Sequence, residues 1–399
     1  MHVIASALLI LAPAIALAGC IEIREPEPPV ASSGATGAED PPRPTSGDGV
    51  GGWTDPGEEP GAGGAGGGGT GSGGGGSDAA GGGGTGSGGG GSDAAGGGGT
   101  GGSATAECVG PIEFIDPTLE ATVRKYVAKP EGPLLPADVA SLEFVQVSSR
   151  EIYSLSGIEC LRSLTQLSIG GDRLEDLSPL RSLTGLRSLN LWGGQVSNLS
   201  PLRSLTELRS LGLGGHQIVD LAPLRSLIRL EELNLSNTSI SDVTALGSLT
   251  SLSELSLYKN PVSDISPLRS LSRLHTLKLG YFPISTLSPL SDLKALVQLV
   301  VFDAEISDIS PLSTLTELRY VLLGRNRISD ASPLASLSFL DLLDLSDNSV
   351  SDLTPFVANP DFSPGARVYV IQNPIDCADQ ASNIAALEAR GAQFFSDCM

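Results

Sequence analysis

Leu255-Ser-Leu257-Tyr-Lys-Asn260-Pro-Val262-Ser-Asp264-Ile265-Ser-Pro267-Leu268-Arg-Ser-Leu271-Ser-Arg-Leu274 is the stretch on which the reading of this chain turns. Its first part alternates apolar and polar residues, the period of a short strand with one buried face. Its second part sets Leu268, Leu271 and Leu274 three apart, the spacing of a tight 3₁₀-like turn. Pro267 lies between them, where a fixed φ ends the strand region. The same phase returns every 22 residues, with prolines at Pro179, Pro201, Pro223, Pro267, Pro289, Pro311, Pro333 and Pro355, and Ala245 in the one remaining slot. No insertion or deletion breaks the register between Gly157 and Pro355. A constant period predicts one small unit stacked on itself, because a single unit cannot bury its leucines alone.

The unit follows the pattern LxLxxNxIxxxxPLxxLxxL, and over Leu142 to Ile375 it resembles the leucine-rich-repeat family. The match is to the 22-residue class found in internalins and similar bacterial surface proteins. The resemblance implies an α/β solenoid: a right-handed leucine-rich-repeat horseshoe or arc with a parallel sheet on its concave face. Eleven rungs are counted from Ile152, Leu174, Val196, Ile218, Ile240, Val262, Ile284, Ile306, Ile328, Val350 and Ile375, the last after a three-residue insertion within Pro360 to Gly365. The asparagine slot departs from the family. It reads Arg150, Asp172, Gly194, His216, Thr238, Asn260, Phe282, Ala304, Asn326, Asn348 and Asn373. Phe282 and Ala304 cannot supply the side-chain hydrogen bonds, so water or a backbone adjustment is expected there.

Both ends of such a stack need covers. Residues 108–141 are expected to form a helical N-terminal cap, opened by Asp116 at an N-cap and Pro117 at the first helical position. Leu119, Val123, Tyr126 and Val127 line one face of that helix, and Pro136-Ala137-Asp138 opens a second short turn. Repeats occupy 142–376, and residues 377–399, with a helical stretch over Ile384 to Arg390, read as a C-terminal cap. Four cysteines flank these caps and allow three pairings. Cys108–Cys160 and Cys377–Cys398 are favoured, since the two pairs sit at opposite ends of the solenoid. A disulfide at the C-terminal end would close that cap, in keeping with an oxidising, exported location. A metal site would need close Cys or His spacing, which is missing, so no metal and no cofactor are expected.

Residues 1–20 read as an export signal whose apolar run, Val3 to Leu17, is short for a membrane span. It ends in Leu17-Ala18-Gly19-Cys20, which resembles a bacterial lipobox with Cys20 as the lipidated residue. Residues 21–107 hold no core-forming pattern: a Pro- and Glu-rich start gives way to glycine, serine, threonine and alanine, and Gly66 to Ala80 recurs at Gly81 to Ala95. This is the composition of a flexible tether. The expected location is therefore an outer-membrane lipoprotein, facing either the cell surface or the periplasm, with the membrane contacted through the lipid.

Lys plus Arg number 24 against 45 Asp plus Glu, a net charge of −21, which disfavours nucleic acid as a partner. Part of the acid forms a column after the strand: Asp176, Asp220, Asp242, Asp264, Asp308, Asp330 and Asp352, with Asn198 and Thr286 in two slots. Turn capping explains that column, with weak divalent-cation binding as the alternative. Three histidines are present, His2 in the signal and His216 and His275 in different phases of the repeat, so no catalytic triad can be assembled and no enzyme is expected.

Side chains between and beside the strand leucines face outward on the concave side. In the middle and later rungs they become aromatic and apolar: Tyr258, Tyr281, Val300, Phe302, Tyr320 and Leu322, interleaved with Lys259, Lys278 and Arg325. Trp192 shares the column of Tyr258 and Phe302, whereas Ser168, Gly170, Gly212 and Gly214 keep the early rungs small. Aromatic and basic residues on a rigid sheet suit a protein or glycan partner, engaged by a monomer through rungs five to nine. A structural envelope spacer without a specific ligand is the competing expectation.

Overall fold

The computed structural model describes residues 108–149, 151–360, 362 and 365–398. The segments expected to be an export signal and a tether, residues 1–107 with Cys20, and Arg150 lie outside the described residues.

Every rung repeats one local sequence of events. A strand is followed by a turn, then by a 3₁₀ segment such as Ser266–Ser270, whose Leu268 points inward. The prolines sit at the start of these segments, where no N–H is required of them. Thr244–Ser248 forms the same segment around Ala245, so the proline favours the turn without being essential to it. The strands are β1 (Phe144–Val147), β2 (Gln166–Gly170), β3 (Ser188–Trp192), β4 (Ser210–Gly212), β5 (Glu232–Asn234) and β6 (Glu254–Ser256). They continue as β7 (Thr276–Gly280), β8 (Gln298–Phe302), β9 (Tyr320–Leu322), β10 (Leu342–Asp344), β11 (Arg367–Tyr369) and β12 (Gln393–Phe395). All lie parallel in one sheet in sequence order. Residues 22 apart pair directly, as in Leu255 with Leu277 and Leu277 with Leu299. The result is a right-handed leucine-rich-repeat solenoid with one leucine core running its length.

The caps close that core. Helix α1 (Pro117–Tyr126) buries Leu119 and Val123. Asp116 caps it through bonds from the Thr118 and Leu119 N–H groups, and its second oxygen accepts from Tyr153 N at 2.9 Å, which ties the cap to the first repeat. Tyr126 stays exposed and meets the Phe144 ring edge-on at 5.9 Å. Cys108 is bonded to Cys160. Around Pro136 the chain makes turns but no second helix, with Asp138 bonded to Leu135 N and Lys129. At the other end, helix α2 (Thr354–Ala358) replaces a 3₁₀ segment and buries Phe356 against Phe362. Helix α3 spans Cys377–Ala389, longer than the stretch expected from residue 384, because Asp376 caps it at its true start. Cys377 is joined to Cys398. Between them runs β12, a twelfth strand that the repeat count of eleven does not contain.

The asparagine slot divides the solenoid. Asn260, Asn326, Asn348 and Asn373 each donate to two carbonyls, one in the preceding rung and one in their own, and each accepts a backbone N–H through Oδ1. Where Ala304 fills the slot, its backbone carbonyl takes over and accepts Ile284 N at 3.1 Å. Backbone adjustment therefore replaces the missing side chain, and exposed Phe282 leaves the slot altogether.

Candidate concave binding surface

The side chains that decide function stand on the sheet and on the turn that leaves it. Tyr258 follows Leu257, and Phe302 follows Val301, by one residue. Tyr281 comes two residues after Leu279, at the first position of the turn. That turn position is left-handed in rung after rung: Gly193 and Gly215, then Asn237, Lys259, Tyr281, Asp303, Arg325, Asp347 and Gln372 all have φ between 53° and 81°. Glycine, asparagine and aspartate accept this geometry most readily; a bulky residue there is strained. Tyr281, at φ 71°, is the bulkiest of them, and it sits beside Lys259 and near Arg325 in the same column.

These residues meet. The rings of Tyr258 and Tyr281 contact edge-on with centroids 4.8 Å apart, and Tyr281 reaches Phe302 at 5.9 Å. The Lys259 ammonium lies 4.9 Å from the Tyr281 centroid, and the Arg325 guanidinium 5.5 Å from that of Phe302. Both distances suit cation–π attraction. Gly280, at φ 131°, permits the arrangement, because a Cβ there would come within 2.0 Å of the Phe302 carbonyl oxygen. Partial burial, the Tyr281 hydroxyl and the Asp303 carboxylate push the Tyr258 phenol well above its ordinary range, so this hydroxyl keeps its proton at physiological pH. Arg325 faces Asp347 across 3.6 Å and stays mostly exposed.

Lys278, Val300 and Leu322 lie side by side in register on β7, β8 and β9, each half-buried. Tyr320 is exposed two positions earlier on β9. Trp192 stands apart: rungs four and five separate it from Tyr258, and its indole lies flat over Gly170, where a Cβ would come within 2.3 Å of the ring. It fills the space left by a glycine in the preceding rung, and it is not part of the aromatic cluster. The structure adds residues to the line of Lys278, Val300 and Leu322. Asp344 and, beyond the insertion, Tyr369 and Phe395 continue it, and the two rings stack at 4.5 Å, 8° from parallel. Tyr369 could have been found by restoring phase after the insertion. Phe395 belongs to β12, which carries no repeat signal.

The aspartate column caps turns: Asp176, Asp220, Asp242, Asp264, Asp308, Asp330 and Asp352 each accept the N–H two residues on, at 2.8 Å. Asn198 and Thr286 do the same. Among the described residues no three His, Cys, Asp or Glu side chains converge as a metal site, and no helix is long and apolar enough to cross a membrane.

A two-copy leucine-rich-repeat family matches residues 228–270. The solved structure of an internalin, InlF of Listeria monocytogenes, is similar over 71% of this chain and 90% of that one, at 25% identity and a TM-score of 0.62. The functional domain of InlJ from the same organism matches 70% of this chain and 59% of its own length, at 20% identity and a TM-score of 0.56, a likeness of fold alone. No curated protein matches the chain. With the sheet and its repeats, these likenesses define an internalin-like leucine-rich-repeat domain. Such domains are in general protein-binding modules rather than enzymes.

Proposed function

We propose that this chain is an exported, lipid-anchored binding protein whose concave face, centred on Tyr258, Lys259, Tyr281, Phe302 and Arg325, captures a protein partner. The observation that carries this reading is the placing of Lys259, Tyr281 and Arg325 in the left-handed column. Glycine would sit there with less strain, as it does at Gly193 and Gly215, so a role other than folding is indicated. The patch is rigid, aromatic and flanked by cations, the make-up of interface anchors. Val300, Leu322, Tyr320 and Lys278 extend it across the sheet.

Lipidation at Cys20 and a tether through residue 107 would hold the domain away from an outer membrane, at the surface or in the periplasm. A glycan partner is the nearest variant, since sugars also stack on aromatic rings. The envelope-spacer reading draws on Trp192, whose packing over Gly170 shows that aromatics on this sheet can be structural. Replacing Tyr258, Phe302 and Tyr320 together with alanine separates the two. Capture of a partner by the purified chain, followed by surface plasmon resonance, should disappear in the variant. Retention of capture at parental affinity would remove the concave patch from the account.

A further inference from the structure

A second feature lies on the flank of the solenoid, where the chain enters the strands of rungs four to seven. Each rung shows two side chains there, three residues and one residue before its strand begins. Rung four shows Glu207 and Arg209, rung five Arg229 and Glu231, rung six Ser251 and Ser253, rung seven Arg273 and His275. Rungs four and five are cross-paired, Arg209 with Glu231 and Arg229 with Glu207. Rung six then offers only serines, with the Ser253 hydroxyl donating to the Glu231 carbonyl at 3.0 Å. The short side chains leave a cleft of about 620 Å³. On its far wall the Arg273 and His275 side chains are exposed and make no ion pair or hydrogen bond among the described residues.

We propose that this cleft is a binding site separate from the concave patch, and that it takes an acidic sugar, a pyranose carrying a carboxylate or sulfate. Rungs five and seven stand two strand spacings apart, roughly 10 Å, which admits one substituted sugar ring above rung six. Arg273 supplies a planar fork suited to either oxyanion, with His275 beside it. Ser251, Ser253 and the Glu231 carboxylate offer donors and acceptors to ring hydroxyls. An acidic peptide fits less well. It would set a run of carboxylates against Glu231, and no apolar side chain lines the cleft for its other residues. In a chain of net charge −21, the Arg273 cation left without a partner beside a notch of hydroxyls marks a place for an anion from outside.

Isothermal titration of the full chain with four probes tests this. They are a galacturonate oligosaccharide, a heparin-derived oligosaccharide, neutral maltohexaose and a poly-glutamate peptide. One or both acidic oligosaccharides should bind, and the preferred one identifies carboxylate or sulfate as the group recognised. Arg273→Gln, and separately Ser251→Leu to fill the notch, should each weaken binding about tenfold or more, with unchanged melting curves. Tyr281→Ala should leave it unaltered, which keeps this site distinct from the concave patch. Equal binding of maltohexaose, selective binding of poly-glutamate, no binding of either acidic sugar, or parental affinity in Arg273→Gln would overturn the proposal.

Discussion

At the scale of single residues, the left-handed column sets stability against function. Tyr281→Gly should relieve backbone strain and raise stability by about 1 kcal/mol, less the entropy that glycine adds to the unfolded chain. The same change should abolish partner capture. Urea denaturation together with a binding assay would read both; a clear loss of stability would mean that Tyr281 is held there by packing. His216 makes the opposite case. It is buried in the asparagine slot, and neither ring nitrogen makes a hydrogen bond of normal geometry. Burial lowers its pKa below the ordinary 6.5, against weaker opposing contributions from the Leu191 and Gly194 backbone. The unfolded chain therefore takes the proton first as pH falls. Stability from this position is complete above about pH 6.5 and is lost as pH drops through the lower folded value. His216→Asn should restore the side-chain bonds made by Asn260, add roughly 1 kcal/mol, and flatten the melting temperature between pH 7 and 5. An unchanged pH profile would contradict this.

Asp242, Asp264 and Asp308 of the aspartate column are also shifted downward. Bonds from the residue two positions on, through its side chain and its N–H, hold Asp242 and Asp308 below the ordinary carboxylate range; for Asp264 the N–H contributes more. Their contribution is present above the unfolded value near 4 and disappears as pH falls through the folded one.

At the scale of elements, the asparagine ladder and the caps govern how the rungs hold together. Asn326 donates to Val301 and Leu323 carbonyls and accepts from Ala304 and Ile306 N–H groups. Asn326→Ala strands buried backbone groups and should lower stability by roughly 2–4 kcal/mol. Thr238→Ala, at a slot where the hydroxyl donates to Leu235 O and Asn260 Oδ1, should have a smaller effect in the same denaturation experiment. Removing the 21-residue link between Cys377 and Cys398 by a double serine change should cost about 3 kcal/mol on the loop-entropy account. Hydrogen exchange should then rise first in β12 and α3.

The elements were legible to different degrees. A 22-residue period with prolines in phase left one solution for Leu255, Leu268 and their equivalents, because only stacking buries them. Strand β12 was hidden, since Gln393-Phe-Phe395 is one short run with no copy elsewhere in the chain. The cluster of Tyr258, Tyr281 and Phe302 was visible as a gathering of aromatics in adjacent columns, but the strain on Tyr281 was not: backbone φ at a turn is set by neighbouring rungs. The flank cleft was invisible because it arises from two serines, whose meaning depends on the charged residues one rung to either side.

At the scale of the whole molecule, a rigid sheet displays one patch while disulfide-closed caps protect the core at both ends. The central claim is that the concave patch meets the protein partner. A photo-crosslinking residue placed at Tyr258 of the full chain on intact producing cells tests it most directly, with a second placed at exposed Ile228, outside the strands of the sheet. A discrete adduct should form from position 258, vanish when Phe302 and Tyr281 are also changed to alanine, and be missing from position 228. Adducts of equal yield from both positions, or none from position 258, would contradict the account.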